Sequence, residues 1–64
     1  MPNPFLVSDL DTRPTWDLIS KASEYQAMLS RLRDIKNPTT ERMTRDVEAA
    51  LELITAEIER RRFG

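Results

Sequence analysis

The sequence predicts an all-α protein, an antiparallel two-helix hairpin with a short irregular arm at its N-terminus. Three observations lead to this prediction. The 64 residues contain one glycine, at position 64, and four prolines, all before residue 39, so the second half of the chain has no helix breaker in its interior. Two long segments repeat apolar residues at alternating spacings of four and three, which is the heptad pattern of packed helices. A single proline, Pro38, separates the two segments.

Residues 1–13 form the predicted arm. Pro2 and Pro4 disfavour a helix in this segment. Four apolar side chains nevertheless lie close together in it: Phe5, Leu6, Val7 and Leu10. Two outcomes are open for the arm. It packs over the end of the helical bundle or over a neighbouring subunit, or it frays as chain termini commonly do.

The first helix is predicted over residues 14–36. Pro14 suits the first helical turn, because the N–H that proline lacks has no helical partner there. The positions that we expect to face the second helix are Leu18, Ala22, Tyr25, Leu29 and Leu32.

The turn is predicted at residue 37, and the second helix over residues 38–62. Asn37 is a preferred N-cap and Pro38 a preferred first helical residue. The residue before a proline avoids the helical conformation, so the chain breaks at Asn37 and a new helix begins at once. A connection this short makes the two helices antiparallel neighbours. The core-facing positions of the second helix are predicted to be Met43, Val47, Ala50 or Leu51, Ile54 and Ile58.

The composition narrows the chemistry. The chain has no cysteine and no histidine, which removes disulfides, thiolate catalysis and the usual zinc ligands. Glu48 and Glu52 form an i,i+4 carboxylate pair, but no histidine accompanies them. We interpret this pair as part of a solvated helix face rather than as an acid–base or metal site. The sequence therefore predicts a protein that is not an enzyme and that needs no metal or cofactor.

Charge and hydropathy limit the partners. Ten basic residues face eleven acidic ones, for a net charge of −1, whereas proteins that bind nucleic-acid duplexes normally carry a basic excess. No apolar run approaches the roughly 20 residues of a membrane-spanning helix. The first ten residues lack the basic start of a signal peptide. We expect a cytoplasmic protein without a membrane or duplex partner.

Self-association is expected because two helices that each bury one face make a thin core for a chain of 64 residues. Each helix carries a second set of small or apolar residues on another side, again at spacings of four and three. The alternative is a solvated face built from good helix formers. A dimeric four-helix bundle is the simplest product. The predicted interface residues are Ser20, Ser23, Ala27, Ala49, Leu53, Ala56 and Phe63.

The basic residues gather at both ends of the predicted hairpin. Eight of the ten are arginines, whose planar guanidinium groups suit bidentate recognition of phosphate. The turn end collects Arg31, Arg33, Lys36, Arg42 and Arg45. Either end, closed by a second subunit, could hold a small anionic ligand, with arginines on its phosphates and Trp16 or Tyr25 stacked on a base; alternatively, the arginines complement the helix dipole and Tyr25 packs in the core. The predicted ligand-binding residues are Arg13, Trp16, Lys21, Tyr25, Arg60, Arg61 and Arg62.

The stretch PTTERMTRDVEAALELITAEIER, residues 38–60, resembles the second helix of a phage helical-hairpin family, the anti-CBASS proteins. The matching residues are Pro38, Thr39, Glu41, the run Val47-Glu48-Ala49-Ala50, Ile58 and Arg60. This resemblance implies an oligomer that sequesters a cyclic nucleotide signal of bacterial immunity without chemistry.

Two functions therefore remain open, together with a purely structural role as an oligomerisation segment. The first is a phage counter-defence protein that sequesters a cyclic nucleotide. The second is a protein–protein inhibitor or antiactivator that binds a host regulator or defence enzyme through Trp16, the arm and the second set of apolar residues.

Overall fold

The computed structural model describes residues 3–63. Within this range the chain forms two helices and no strand: α1 spans Thr15–Leu32 and α2 spans Pro38–Phe63. Arg61 near the end of α2 donates a hydrogen bond to the hydroxyl of Thr15 at the start of α1, so the helices lie side by side and antiparallel. The predicted all-α helical hairpin is confirmed.

Helix α1 ends at Leu32, four residues before the predicted end. The N–H groups of Asp34 and Ile35 bond three residues back, to the carbonyls of Arg31 and Leu32, which is the tightening typical of a helix terminus. The connection is therefore residues 33–37 rather than residue 37 alone. A helix continued to residue 36 would leave one residue in which to reverse the chain and move it sideways to the neighbouring helix axis, about 8–10 Å away.

Helix α2 begins as predicted. The side-chain Oδ1 of Asn37 accepts hydrogen bonds from the backbone N–H of Thr40, at 2.8 Å, and from the Thr40 hydroxyl, at 2.9 Å. Asn37 is thus the N-cap and Pro38 the first helical residue. The helix runs one residue beyond its predicted end, to Phe63, because nothing in residues 39–63 interrupts it.

The core lies on the predicted faces of both helices. The buried apolar residues are Leu18, Tyr25, Leu29, Val47, Ala50 and Ile54. Of the two alternatives in α2, Ala50 is buried and Leu51 is half-buried. Met43 was also predicted to face the core, yet 36% of its surface is exposed. Since Thr15 lies beside Arg61, Met43 lies level with residue 33, where α1 has already ended.

The arm packs along the hairpin as a third layer, neither frayed nor confined to one end. The Asn3 side-chain amide donates to the carbonyl of Asp46 at 2.7 Å, and Arg61 donates to the carbonyl of Leu10 at 2.7 Å. The arm therefore runs parallel to α2. Its first residues form a turn, in which the Leu6 N–H bonds to the Asn3 carbonyl. The arm nevertheless lies along the groove between the helices, from Asp46 to Arg61 of α2.

The arm is held by apolar side chains and by the turn that follows it. Phe5, Val7 and Leu10 pack against the core. The Phe5 and Tyr25 rings meet edge to face, with centroids 6.0 Å apart, and the Tyr25 hydroxyl donates to the Phe5 carbonyl at 2.7 Å. Asp9 adopts φ 57°, a left-handed conformation that aspartate tolerates, and its carbonyl accepts the N–H groups that start the turn into α1.

Candidate functional site

The open end of the hairpin, where α1 begins and α2 ends, is the first candidate site. The antiparallel arrangement brings Arg13 to this end together with the arginines at 60–62, as the sequence predicted. Arg13 is already partnered: its Nη1 lies 2.9 Å from Asp17 Oδ2, and its Nε donates to the carbonyl of Ser8 at 3.0 Å. Arg13 thus fixes the turn between the arm and α1.

Arg61 joins three elements of the fold. Its guanidinium donates to the Leu10 carbonyl of the arm at 2.7 Å and to the Thr15 hydroxyl of α1 at 3.0 Å. Its Nε also donates to Glu57 Oε2, one turn back on α2, at 2.8 Å. Only 20% of the side chain is exposed. These contacts engage all three guanidinium nitrogens and fix the position of the side chain, so Arg61 is a structural clamp on the arm.

Glu57 forms ion pairs with two arginines at this end. Arg60 donates to both of its carboxylate oxygens, at 2.9 and 2.6 Å, and Arg61 donates to one of them. The hydrogen bonds from Arg60 and then from Arg61 lower the pKa of Glu57 from 4.5 to about 2, and the same carboxylate raises the pKa of Arg60. Arg62 instead approaches Phe63, with its guanidinium carbon 6.0 Å from the ring centroid.

Tyr25 and Lys21, two other members of the predicted site, do not join this cluster. Tyr25 is 8% exposed and has its ring against Phe5; the stacking role predicted for it is wrong because the ring has no free face. Lys21 lies 3.9 Å from Glu24, six residues or about 9 Å along α1 from Thr15. Trp16, by contrast, is 72% exposed and available for contact.

The turn end carries cations that are less engaged. A groove of about 390 Å³ is lined there by Leu32, Arg33, Ile35, Lys36, Glu41, Thr44 and Arg45. The ion pairs of residues 3–63 include none of the groove's three cations, at positions 33, 36 and 45. Ile35 is about half exposed beside them. The sequence predicted that either end could hold an anionic ligand, but the predicted ligand-binding residues were named only at the open end. Ion pairs distinguish the two ends, and they depend on side-chain geometry that a sequence does not show.

The predicted oligomer interface is exposed on a single copy. All seven predicted interface residues lie on the solvent-facing sides of the helices, and Leu53 and Phe63 are 51% and 83% exposed. At about 100° per residue, both sets point away from the core. They therefore form two surfaces on opposite sides of the hairpin, which we call the α1 outer face, with Trp16, and the α2 outer face, with Leu53. The interface itself stays a prediction.

A further groove lies between the helices on the side away from the arm. This open groove has a volume of about 600 Å³ and is lined by Leu29, Arg33, Glu48, Leu51, Glu52, Thr55, Ala56 and Glu59. The carboxylate pair noted in the sequence, Glu48 with Glu52, lies here. Both side chains are exposed, and within residues 3–63 no three carboxylates come close enough together to hold a metal ion.

Comparisons of the chain with protein-family models, curated proteins and solved structures gave no match. Neither α1 nor α2 combines the length and hydropathy of a transmembrane helix. The fold and its surfaces define a helical hairpin whose own N-terminal arm fills one groove, with two outer faces, a cationic turn end and an open groove as its candidate binding surfaces.

Proposed function

We propose that this chain is a small non-enzymatic binding protein of the cytoplasm, which self-associates and inhibits or antagonises a protein partner, such as a regulator or a defence enzyme. Three large apolar side chains carry the proposal, since Trp16, Leu53 and Phe63 are 72%, 51% and 83% exposed. Tryptophan in particular is over-represented among residues that dominate binding energy at protein interfaces.

The two outer faces suit two different contacts. Small residues flank Leu53 on the α2 outer face, at Ala49 and Ala56, and small side chains permit close approach of a second helix. Because the faces point in opposite directions, one can hold a second copy while the other meets a partner. Light scattering tests the first contact: we expect the wild-type mass to exceed one chain and Leu53→Asp to reduce it. A single-chain mass at the highest attainable concentration would remove self-association from the proposal.

The partner contact is tested with Trp16→Ala. We expect a purified partner, first captured from a bacterial lysate, to form a stoichiometric complex with the wild type and to lose it with Trp16→Ala. Glu24→Ala is the matched control, because Glu24 is an exposed residue of α1 that belongs to neither outer face and does not line the open groove. Circular dichroism establishes that each variant keeps its helices. A complex of equal affinity with Trp16→Ala would contradict the proposal.

A second function is favoured by the turn end, namely sequestration of a small anionic ligand such as a cyclic nucleotide. The cations at 33, 36 and 45 form no ion pair within residues 3–63, and they surround apolar surface from Leu32 and Ile35. This combination suits a ligand that carries phosphates next to a base, since arginine pairs with phosphate in bidentate fashion. The resemblance of residues 38–60 to the anti-CBASS proteins supports the same function.

Isothermal titration calorimetry with a panel of cyclic di- and trinucleotides tests this second function. We expect binding that weakens with Arg45→Ala, which removes a cation lining the groove. Arg31→Ala removes an exposed cation that does not line it and serves as the matched control. Absence of heat across the panel at micromolar ligand, or equal weakening by both substitutions, would exclude the site.

A further inference from the structure

The two grooves of the hairpin are unequally covered. On the arm side of α2, Asp46, Glu57 and Arg61 are half-buried, whereas on the opposite side Glu48 and Glu59 are exposed. Helix α1 shows the same asymmetry: Lys21 and Met28 on the arm side are half-buried, while Ile19 and Gln26 on the other side are exposed. One groove is thus occupied by a segment of this chain, and residues 3–63 leave its counterpart open.

The open groove has an apolar floor and an acidic wall. The floor is formed by Leu29 and Leu51, and the wall by three glutamates of α2: Glu48, Glu52 and Glu59. Spacings of four and seven residues place the three carboxylates on one line almost parallel to the helix axis. None of them takes part in an ion pair within residues 3–63. The wall extends over eleven residues, or about 16 Å at 1.5 Å per residue.

We propose that the open groove binds a basic amphipathic helix of a partner protein. Apolar side chains of that helix would cover Leu29 and Leu51, and its lysines or arginines would pair with the line of glutamates. A third helix is the natural occupant of a groove between two antiparallel helices. About three turns suffice to reach from Glu48 to Glu59. The proposal rests on the protein-binding function above and names one surface and the charge of its partner.

Charge complementarity also argues against the arm of a second copy as the occupant. The arm's apolar residues fill one groove of the hairpin, so an exchanged arm could in principle fill the other. The arm carries Asp9 and Asp11, however, and its Arg13 is paired with Asp17. An acidic segment laid beside Glu48 and Glu52 would meet like charges, which destabilise the contact. A cationic partner meets one like charge in this groove, Arg33, against the three glutamates of the wall.

Fluorescence anisotropy with a synthetic peptide tests the proposal. The probe is a labelled, C-terminally amidated amphipathic helix of leucine, alanine and lysine, about three turns long. We expect saturable binding that weakens as salt is added. Glu48→Gln combined with Glu52→Gln should weaken it by about threefold to tenfold, the range for two solvent-accessible ion pairs. Thr55→Lys, an exposed substitution inside the groove, should weaken it as well.

The matched control removes two carboxylates elsewhere. Glu24→Gln combined with Asp34→Asn gives the same net charge, and neither residue lines the open groove. The proposal predicts near wild-type affinity for this control and weaker binding of a scrambled peptide of identical composition. It is overturned if the scrambled peptide binds equally well, or if the two double variants behave alike, since either result means attraction by net charge alone.

Failure of the groove and failure of the proposed function give different results. Trp16→Ala should bind the peptide normally, because Trp16 does not line the groove. Peptide binding without a Trp16-dependent partner supports the groove and contradicts the function assigned to the outer face. A Trp16-dependent partner without peptide binding supports the function assigned to the outer face and contradicts the groove proposal.

Discussion

Arg61 gives the sharpest test of how the arm is held. Its guanidinium bonds to the Leu10 carbonyl, the Thr15 hydroxyl and the Glu57 carboxylate. Its neighbour Arg62 is exposed and approaches the Phe63 ring, with no ion pair or side-chain hydrogen bond to residues 3–63. The two arginines have the same charge and are consecutive residues near the end of α2. Arg61→Ala and Arg62→Ala therefore differ chiefly in the clamp.

The cost of Arg61→Ala follows from the two bonds that leave α2. Hydrogen bonds to charged groups contribute about 1.5–3 kcal/mol. With 20% of the Arg61 side chain exposed, and with water able to replace it at the surface, we take about 1 kcal/mol for each bond, the value of an ordinary hydrogen bond. The free energy of unfolding should then fall by about 2 kcal/mol, equivalent to about 8–16 °C in melting temperature for a chain of this size. Arg62→Ala should change it by less than about 0.5 kcal/mol.

Urea unfolding followed by circular dichroism measures the difference between the two variants. Amide hydrogen exchange locates it: the Leu6 N–H, which bonds to the Asn3 carbonyl within the arm, should exchange faster in Arg61→Ala only. Equal stability of the two variants, with unchanged exchange at Leu6, would show that the clamp does not hold the arm.

The other predictions concern acid stability, the helix cap and the two sides of α2. The pKa of Glu57 is lowered to about 2 from 4.5, so its contribution to stability is present above pH 4.5 and should be lost as the pH falls towards 2. The Glu57→Gln variant should lack this acid-dependent loss of stability. An acid titration in which the variant and the wild type lose stability identically would refute the prediction. Asn37→Ala removes the acceptor of the Thr40 N–H and should cost about 1 kcal/mol in urea unfolding, whereas Asn37→Ser should retain most of the stability; equal losses would argue against the cap. Ile54→Val, at a position 1% exposed, should cost about 0.5–1.5 kcal/mol. Leu53→Ala, at the adjacent exposed position, should leave the stability of one copy nearly unchanged and lower only the mass measured by light scattering. A larger loss of stability for Leu53→Ala than for Ile54→Val would mean that the buried face of α2 is wrongly assigned.

Local sequence was sufficient for the helices because their signals lie within one or two turns. The buried positions Leu18, Tyr25 and Leu29 repeat at heptad spacing, and the Asn37-Pro38 pair specifies a cap through atoms three residues away. The end of α1 could not be read in this way. It depends on the length of chain needed to reach the neighbouring helix, which is a property of the packed pair.

The candidate sites were only partly predictable for a related reason. Heptad spacing placed Tyr25 on the core face of α1 and Trp16 off it, yet a stacking role on a ligand was predicted for either aromatic side chain. Burial distinguishes them, because the Phe5 ring from the arm covers Tyr25 and nothing covers Trp16. The arginines at 60–62 were likewise equivalent in sequence, and only the position of Leu10, 51 residues before Arg61, makes that arginine structural.

The sequence by itself determined that two helices form, which faces they bury and where the second begins, since each depends on short-range hydrogen bonds and on the periodicity of apolar side chains. The tertiary structure decided that the arm fills one groove and that the groove with Glu48 and Glu52 stays open to residues 3–63. It also decided that Arg61 is held by three contacts, whereas the cations of the turn-end groove form no ion pair within the described range. Those outcomes depend on contacts between residues 20 to 51 positions apart. Such contacts exist only after the helices have packed, and no local pattern encodes them.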